Sequence, residues 1–186
     1  GGDWSTLRVF AFDHRMQLEE MAGYTPAKGG AFKGLCLKAA LQVADGGNGY
    51  GILCDNRIGR AALHAASGSG LWIGRPAEWP GSRPLALEPE LGADCGGLQE
   101  WAREDGVKGL CKLEPMQTRA AWQNAIDAIE AHDRHTRGIV VLGLDAPEAE
   151  LAASFKVAAG FPLVRGFAVG RTIFGAVARD WLAGTI

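Results

Sequence analysis

The chain predicts an α/β fold built on a parallel sheet. Three observations carry this. Short apolar runs alternate with helical stretches through all 186 residues; the runs are apolar throughout rather than at every second position; and polar residues gather just past their C-terminal ends. Alternating strands and helices mark βα units in a parallel sheet. Strands with no wet face need cover on both sides.

The elements follow in order. Leu7-Arg8-Val9-Phe10-Ala11-Phe12 reads as a strand and Lys33 to Val43 as an amphipathic helix. Tyr50 to Cys54 is a second strand, with Ala61 to Ala66 helical after it. Leu71-Trp72-Ile73-Gly74 is a third strand, and Leu98 to Glu104 a short helix. Val107 to Leu113 is a strand-like run that contains lysines. Ala120 to Arg134 carries Trp122, Ile126 and Ile129 at helical spacing. Ile139-Val140-Val141-Leu142 is a fully apolar strand, and Pro147 opens a helix to Ala159. Leu163 to Val169 and Thr172 to Leu182 supply the last strand and helix. No linker, low-complexity tract or short repeat interrupts the chain, which reads as one domain over residues 1–186.

Composition excludes several classes. Apolar residues at 47% and charged residues at 22% rule out a disordered chain, a collagen or a coiled coil. No apolar run reaches the ~18 residues of a membrane span. The opening Gly1-Gly2-Asp3-Trp4 has no basic segment leading an apolar one, so no secretory signal is visible, and a cytoplasmic location is expected. A net charge of -2 and a pI near 6.1 argue against nucleic-acid binding, which needs a basic face. Cys36, Cys54, Cys95 and Cys111 lack zinc or redox spacing and read as buried free thiols. His132 and His135 read as compensation of a helix C-terminus rather than a metal pair. Gly68-Ser69-Gly70 precedes a strand, the wrong context for a dinucleotide loop.

The strand ends hold the candidate chemistry. Asp13-His14-Arg15 follows the first strand, Asp55 the second, and Arg75 the third, with Glu78 beyond. Lys112-Leu113-Glu114 ends the lysine-containing run, Gly143-Leu144-Asp145 the next strand, and Gly170-Arg171 the last. That edge binds ligands in parallel α/β folds. A helix cap or a surface ion pair explains any one of these residues alone, but six such placements together less easily. Gly170 opens backbone N–H groups to a close anion, the next helix adds its dipole, and Arg171 offers a forked donor. Gly143 at the preceding strand end can do the same, unless both glycines merely serve turns. Lys108 and Lys112 lie in apolar sequence, where desolvation and a second cation favour a neutral, nucleophilic amine. The alternative is a pair of lysines snorkelling at a strand edge.

Taken as blocks, these residues resemble a known family. Ala11-Phe12-Asp13-His14-Arg15-x-Gln17-Leu18 and Gly51-Ile52-Leu53-Cys54-Asp55-x-x-Ile58-Gly59 look like the opening of the 5-dehydro-2-deoxyphosphogluconate aldolase domain of myo-inositol catabolism. The likeness continues through Gly74-Arg75-Pro76-Ala77-Glu78, Val107-Lys108 and Lys112-Leu113-Glu114-Pro115-Met116. It closes with Val141 to Pro147 and Gly166 to Phe174. That family resembles the class I tagatose-bisphosphate aldolases, which are (β/α)8 TIM barrels.

The resemblance implies Schiff-base cleavage of a phosphorylated keto-deoxy sugar acid to dihydroxyacetone phosphate and malonate semialdehyde. Lys112 would form the Schiff base and Lys108 would help keep it neutral, with Glu114 among the catalytic groups and Asp13 orienting substrate hydroxyls and carboxylate together with Arg15. Arg15, Gln17, Asp55, Arg75 and Asp145 would bind substrate, and Gly143, Gly170 and Arg171 its phosphate. No cofactor and no metal are implied. A homo-oligomer and a fused or partner sugar kinase are compatible with the family. A non-catalytic phosphosugar-binding barrel and a phosphosugar isomerase are the competing readings.

One departure stands out. The family has about two βα units between its Val-Lys and Lys-Leu-Glu strands, whereas here Cys111 leads straight into Lys112. A barrel of ~250 residues gives about 31 per unit, so this chain holds about six units. The expectation is an incomplete barrel, with about two units missing near residue 111 and a spatial break between Cys111 and Lys112.

Overall fold

A computed structural model describes residues 6–76, 109–132, 136–143 and 147–186. Six strands form one all-parallel sheet: β1 (Leu7–Ala11), β2 (Tyr50–Leu53), β3 (Trp72–Gly74), β4 (Gly109–Leu113), β5 (Thr136–Leu142) and β6 (Val164–Val169). The order across it is β3-β2-β1-β6-β5-β4. β1 pairs with β2 on one side (Val9 opposite Gly51) and with β6 on the other (Val9 opposite Ala168). The first and last strands thus meet in the middle. This is the circular order of a βα barrel opened between β3 and β4, and the sheet curls into a half-barrel. The expected eight-stranded closure is not formed by the described residues.

The helices are α1 (Met16–Glu19), α2 (Pro26–Ala44), α3 (Asn56–Ala66), α4 (Arg119–His132), α5 (Glu148–Ala158) and α6 (Arg171–Ala183). α2 starts a full two turns before the predicted Lys33. Thr25 caps it by accepting from the Lys28 N–H, and Pro26 supplies a preset first-turn φ. Asp55 caps α3 in the same way, accepting from the Ile58 N–H at 2.7 Å. The short α1 was not expected from the sequence. The predicted helix Leu98 to Glu104 lies outside the described residues, as do Glu78, Lys108 and Asp145.

The core divides by strand periodicity. Phe12, Ile52 and Cys54 pack with Phe32, Cys36 and Leu37 of α2, Ala62 of α3 and Phe174 of α6. Ile139 and Val141 pack with Trp122 and Ile126 of α4 and Ala158 of α5. On the opposite face Leu7, Val9, Ala11, Leu53, Val140 and Ala168 bury one another, with Trp72 against them. Every member of that third cluster is a strand residue. One face of the sheet is therefore covered by helices and the other by the sheet's own curl, which is how a barrel interior fills. Helices on both faces would have marked a doubly wound sheet.

The expected break at residue 111 is corrected. β4 runs on without interruption, Cys111 pairing with Ile139 and Lys112 with Val140. The ladder to β5 holds through Leu113 opposite Val141. The sheet tolerates the short path because β4 takes an edge position, needing a partner on only one side.

Cys36 and Cys54 are free and buried, as expected. Burial pushes each thiol up to about 12. Neither is expected to react with a thiol reagent at pH 8 until denaturant is added; prompt labelling of either in the native protein, read by peptide mass, would contradict that packing. Among the described residues no helix is long and apolar enough to cross a membrane.

Candidate functional site

Because every strand runs the same way, the residues after their C-terminal ends share one rim. Gly170 brings the last unit against the first. A Cβ on it would overlap the Ala11 carbonyl and come within 3.0 Å of His14 Cε1. Only glycine lets the start of α6 lie against the turn after β1. The α6 N-terminus then opens beside that turn, with the Ile173 and Phe174 N–H groups folded back onto the Gly170 carbonyl. Phe174 meets the His14 ring edge-on at 5.5 Å between centroids.

Across the mouth, Lys112 Nζ lies 3.4 Å from Asp13 Oδ2. This ion pair joins β4 to the end of β1, with two strands, β6 and β5, between them in the sheet order. Its partner is Asp13 rather than Glu114, which is exposed. The Lys112 side chain is 35% exposed, so the expected dry pocket around it is not what these residues build. Arg15 is buried, Gln17 is exposed on α1, and Gly143 packs against Val169. Arg75 has its Nε and Nη2 enclosed, with no hydrogen-bond partner among the described residues.

Beneath the rim lies a group that the sequence reading missed. Lys33, on α2, is 1% exposed and pairs with Asp55, which is 0% exposed. Its Nζ also donates to the His14 carbonyl at 3.0 Å. Both Asp55 oxygens are thereby used, one on Lys33 and one on the α3 cap. Burial is the main influence on Lys33 and lowers it to about 8, while Cys54 and Asp13 push the other way. At neutral pH the amine is still predominantly the ammonium that Asp55 requires.

His14 is held well below its ordinary value. Desolvation first, then Arg171, Lys112 and Lys33, hold it at about 4 against the opposing pull of Asp13. Its Nδ1 is enclosed without a hydrogen-bond partner among the described residues. The unfolded chain binds this proton more tightly than the fold does. The contribution of the neutral ring to stability is therefore complete above pH 6.5 and is lost as pH falls towards 4. That amounts to about 3 kcal/mol. Urea midpoints from pH 7 to 4.5 should fall more steeply for the wild type than for His14→Gln; equal slopes would contradict this placement.

Above the buried Lys33–Asp55 pair, the rim gathers Arg15, Arg75, Lys112 and Arg171 against Asp13 and the exposed Glu114. In a chain of net charge -2 this local excess of cations suits a multiply charged anion. No cluster of three metal-ligating side chains occurs among the described residues.

No curated protein matches the sequence. A family pattern matches residues 2–115 and 109–186, two segments that share β4 and the turn after it. Together they span almost the whole chain, and the protein belongs to DUF2090, a family described as uncharacterized proteins conserved in bacteria.

Proposed function

We propose that this protein is a Schiff-base aldolase acting on a small phosphorylated keto acid, 5-dehydro-2-deoxy-D-gluconate 6-phosphate by the resemblance of its motifs. The observation that carries this reading is the Asp13–Lys112 pair at the cationic rim. Asp13 is within reach to accept a proton from Lys112, leaving an amine to attack the substrate ketone. Water leaves and an iminium forms. Loss of the proton from the substrate hydroxyl β to that carbon lets the intervening C–C bond break, its electron pair moving into the iminium to give an enamine. Protonation of the enamine carbon and hydrolysis then release dihydroxyacetone phosphate, and malonate semialdehyde is the other fragment. Gly170, Gly143 and Arg171 would seat the phosphate at the start of α6, and Arg15 and Arg75 the carboxylate. Lys108 would add a second cation beside the amine, and Asp145 a hydroxyl contact. The incomplete TIM barrel fits the strand order, and the overlap of the two family matches at β4 fits a chain in which one strand stands for two.

One observation favours the second reading, a non-catalytic phosphosugar-binding domain: the exposure of Lys112. Incubation with dihydroxyacetone phosphate and borohydride separates the two. An adduct on the Lys112 peptide supports the aldolase. Phosphate-dependent binding with no adduct supports the binding domain and ends the catalytic reading.

A further inference from the structure

We propose that Lys33 is a positioning residue of this site: anchored on Asp55 and bonded to the His14 carbonyl, it holds the turn after β1 so that Asp13 faces Lys112. The inference rests on the reading of Lys112 as the reactive amine, and adds a group that no strand end supplies.

The geometry is specific. Lys33 enters from the helix layer, between Phe32 and Cys36 on the buried face of α2. Its stem passes Gly59, where an added Cβ would lie 3.1 Å from Lys33 Cδ and would overlap Cys54 Sγ. The small residue on α3 thus leaves the channel through which the lysine reaches the rim. At the far end, Nζ touches the two strand ends that must stay in register, Asp55 after β2 and His14 after β1. Asp13 is one residue from that bonded carbonyl, and its carboxylate makes the contact with Lys112. The sheet fixes β1 only as far as the Phe12 N–H, which donates to the Leu53 carbonyl at 2.9 Å. Arg15 is already the start of α1, its carbonyl accepting from Leu18 and Glu19. Between those two anchors, the Lys33 bond holds the carbonyl of the residue next to Asp13. A fully buried ion pair is a poor stabiliser compared with apolar packing. Setting the direction of a turn is a use for it that packing cannot replace.

The test separates this role from plain stability. Lys33→Met with Asp55→Asn removes both buried charges together and leaves a capping side chain on α3; Lys33→Leu with Asp55→Asn serves if the first pair fails to fold. Each is compared with wild type, with Asp13→Asn and with the triple combination, at temperatures where all are folded by circular dichroism. The readout is borohydride trapping of dihydroxyacetone phosphate as a function of its concentration. The double variant should trap about 10- to 100-fold more slowly at saturation, with half-saturation moved less than about threefold, because the phosphate seat is untouched. In the Asp13→Asn background the same change should slow trapping less than about twofold, since the contact it serves is already gone. An unchanged rate in the double variant, or equal slowing in both backgrounds, overturns the proposal.

If the wild type forms no adduct, it is the aldolase reading that fails, and Lys33 is judged separately by acetylation of Lys112 with acetic anhydride. Acetylation should rise about threefold or more when the Asp13 carboxylate is no longer held against it, and should not change in the Asp13→Asn background. Equal labelling in wild type and double variant overturns the role of Lys33 on that measurement.

Discussion

Replacing Asp55 by alanine is expected to cost about 3–5 kcal/mol, a large part of the stability of an ordinary domain. The change strands the Lys33 ammonium, 1% exposed, with the His14 carbonyl as its one remaining hydrogen-bond acceptor among the described residues. It also removes the side chain that caps α3, a further ~1 kcal/mol. The buried amine can shed its proton to escape part of the penalty, and burial already favours that direction. Urea unfolding at pH 7 measures the effect. Lys33→Met combined with Asp55→Asn should lie much closer to wild type, because both charges go together. A single Asp55→Ala variant within about 1 kcal/mol of wild type would show that the pair is not buried as described.

Replacing Lys112 by arginine is expected to abolish reductive trapping and reduce cleavage to the uncatalysed background. Arginine keeps the positive charge and can still meet Asp13, but it holds its proton under all ordinary conditions and cannot form the iminium. The variant therefore removes covalent chemistry while leaving the rim's charge intact. Binding of phosphorylated ligand, followed by calorimetry, should persist. Arg171→Ala should do the reverse, raising the half-saturation of trapping about tenfold or more through loss of a charged hydrogen bond, with the saturating rate much less affected. If Lys112→Arg still yields an adduct, another lysine carries the chemistry.

Much of this arrangement is legible in the sequence, because strand ends in a parallel sheet share an edge. Asp13, Asp55, Arg75, Lys112, Gly143 and Gly170 all lie where their neighbouring apolar runs predicted. What the sequence hides are the distances between units. The contact between Asp13 and Lys112 depends on the curl of the sheet across β6 and β5, which no local pattern encodes. Hydrophobic periodicity puts Lys33 at the start of an amphipathic helix, yet the sequence also carries the signal for its burial. Gly29, Phe32, Cys36, Leu37 and Ala40 form the apolar stripe of α2, and Lys33 stands within that stripe. The Thr25-Pro26 start that extends α2 to include this stripe is a capping signal, which hydrophobic periodicity alone does not register. Asp55 was expected to face substrate; the structure shows it as a cap and a buried counter-ion, since one carboxylate after a strand can serve a ligand, a helix or a lysine, and the sequence does not say which. The break expected at Cys111 came from counting βα units, yet residues 110–113 pair in register with residues 138–141 of β5 as a single edge strand.

The most direct measurement of the central claim is product release. Purified protein is given the phosphorylated keto-deoxy sugar acid with EDTA present, and dihydroxyacetone phosphate is followed through its reduction by a coupling dehydrogenase. The triose phosphate should form steadily with an equal amount of the three-carbon aldehyde acid, and none should form from the Lys112→Arg protein. Binding of the substrate without either fragment, or its conversion to an isomer with every carbon retained, would contradict it.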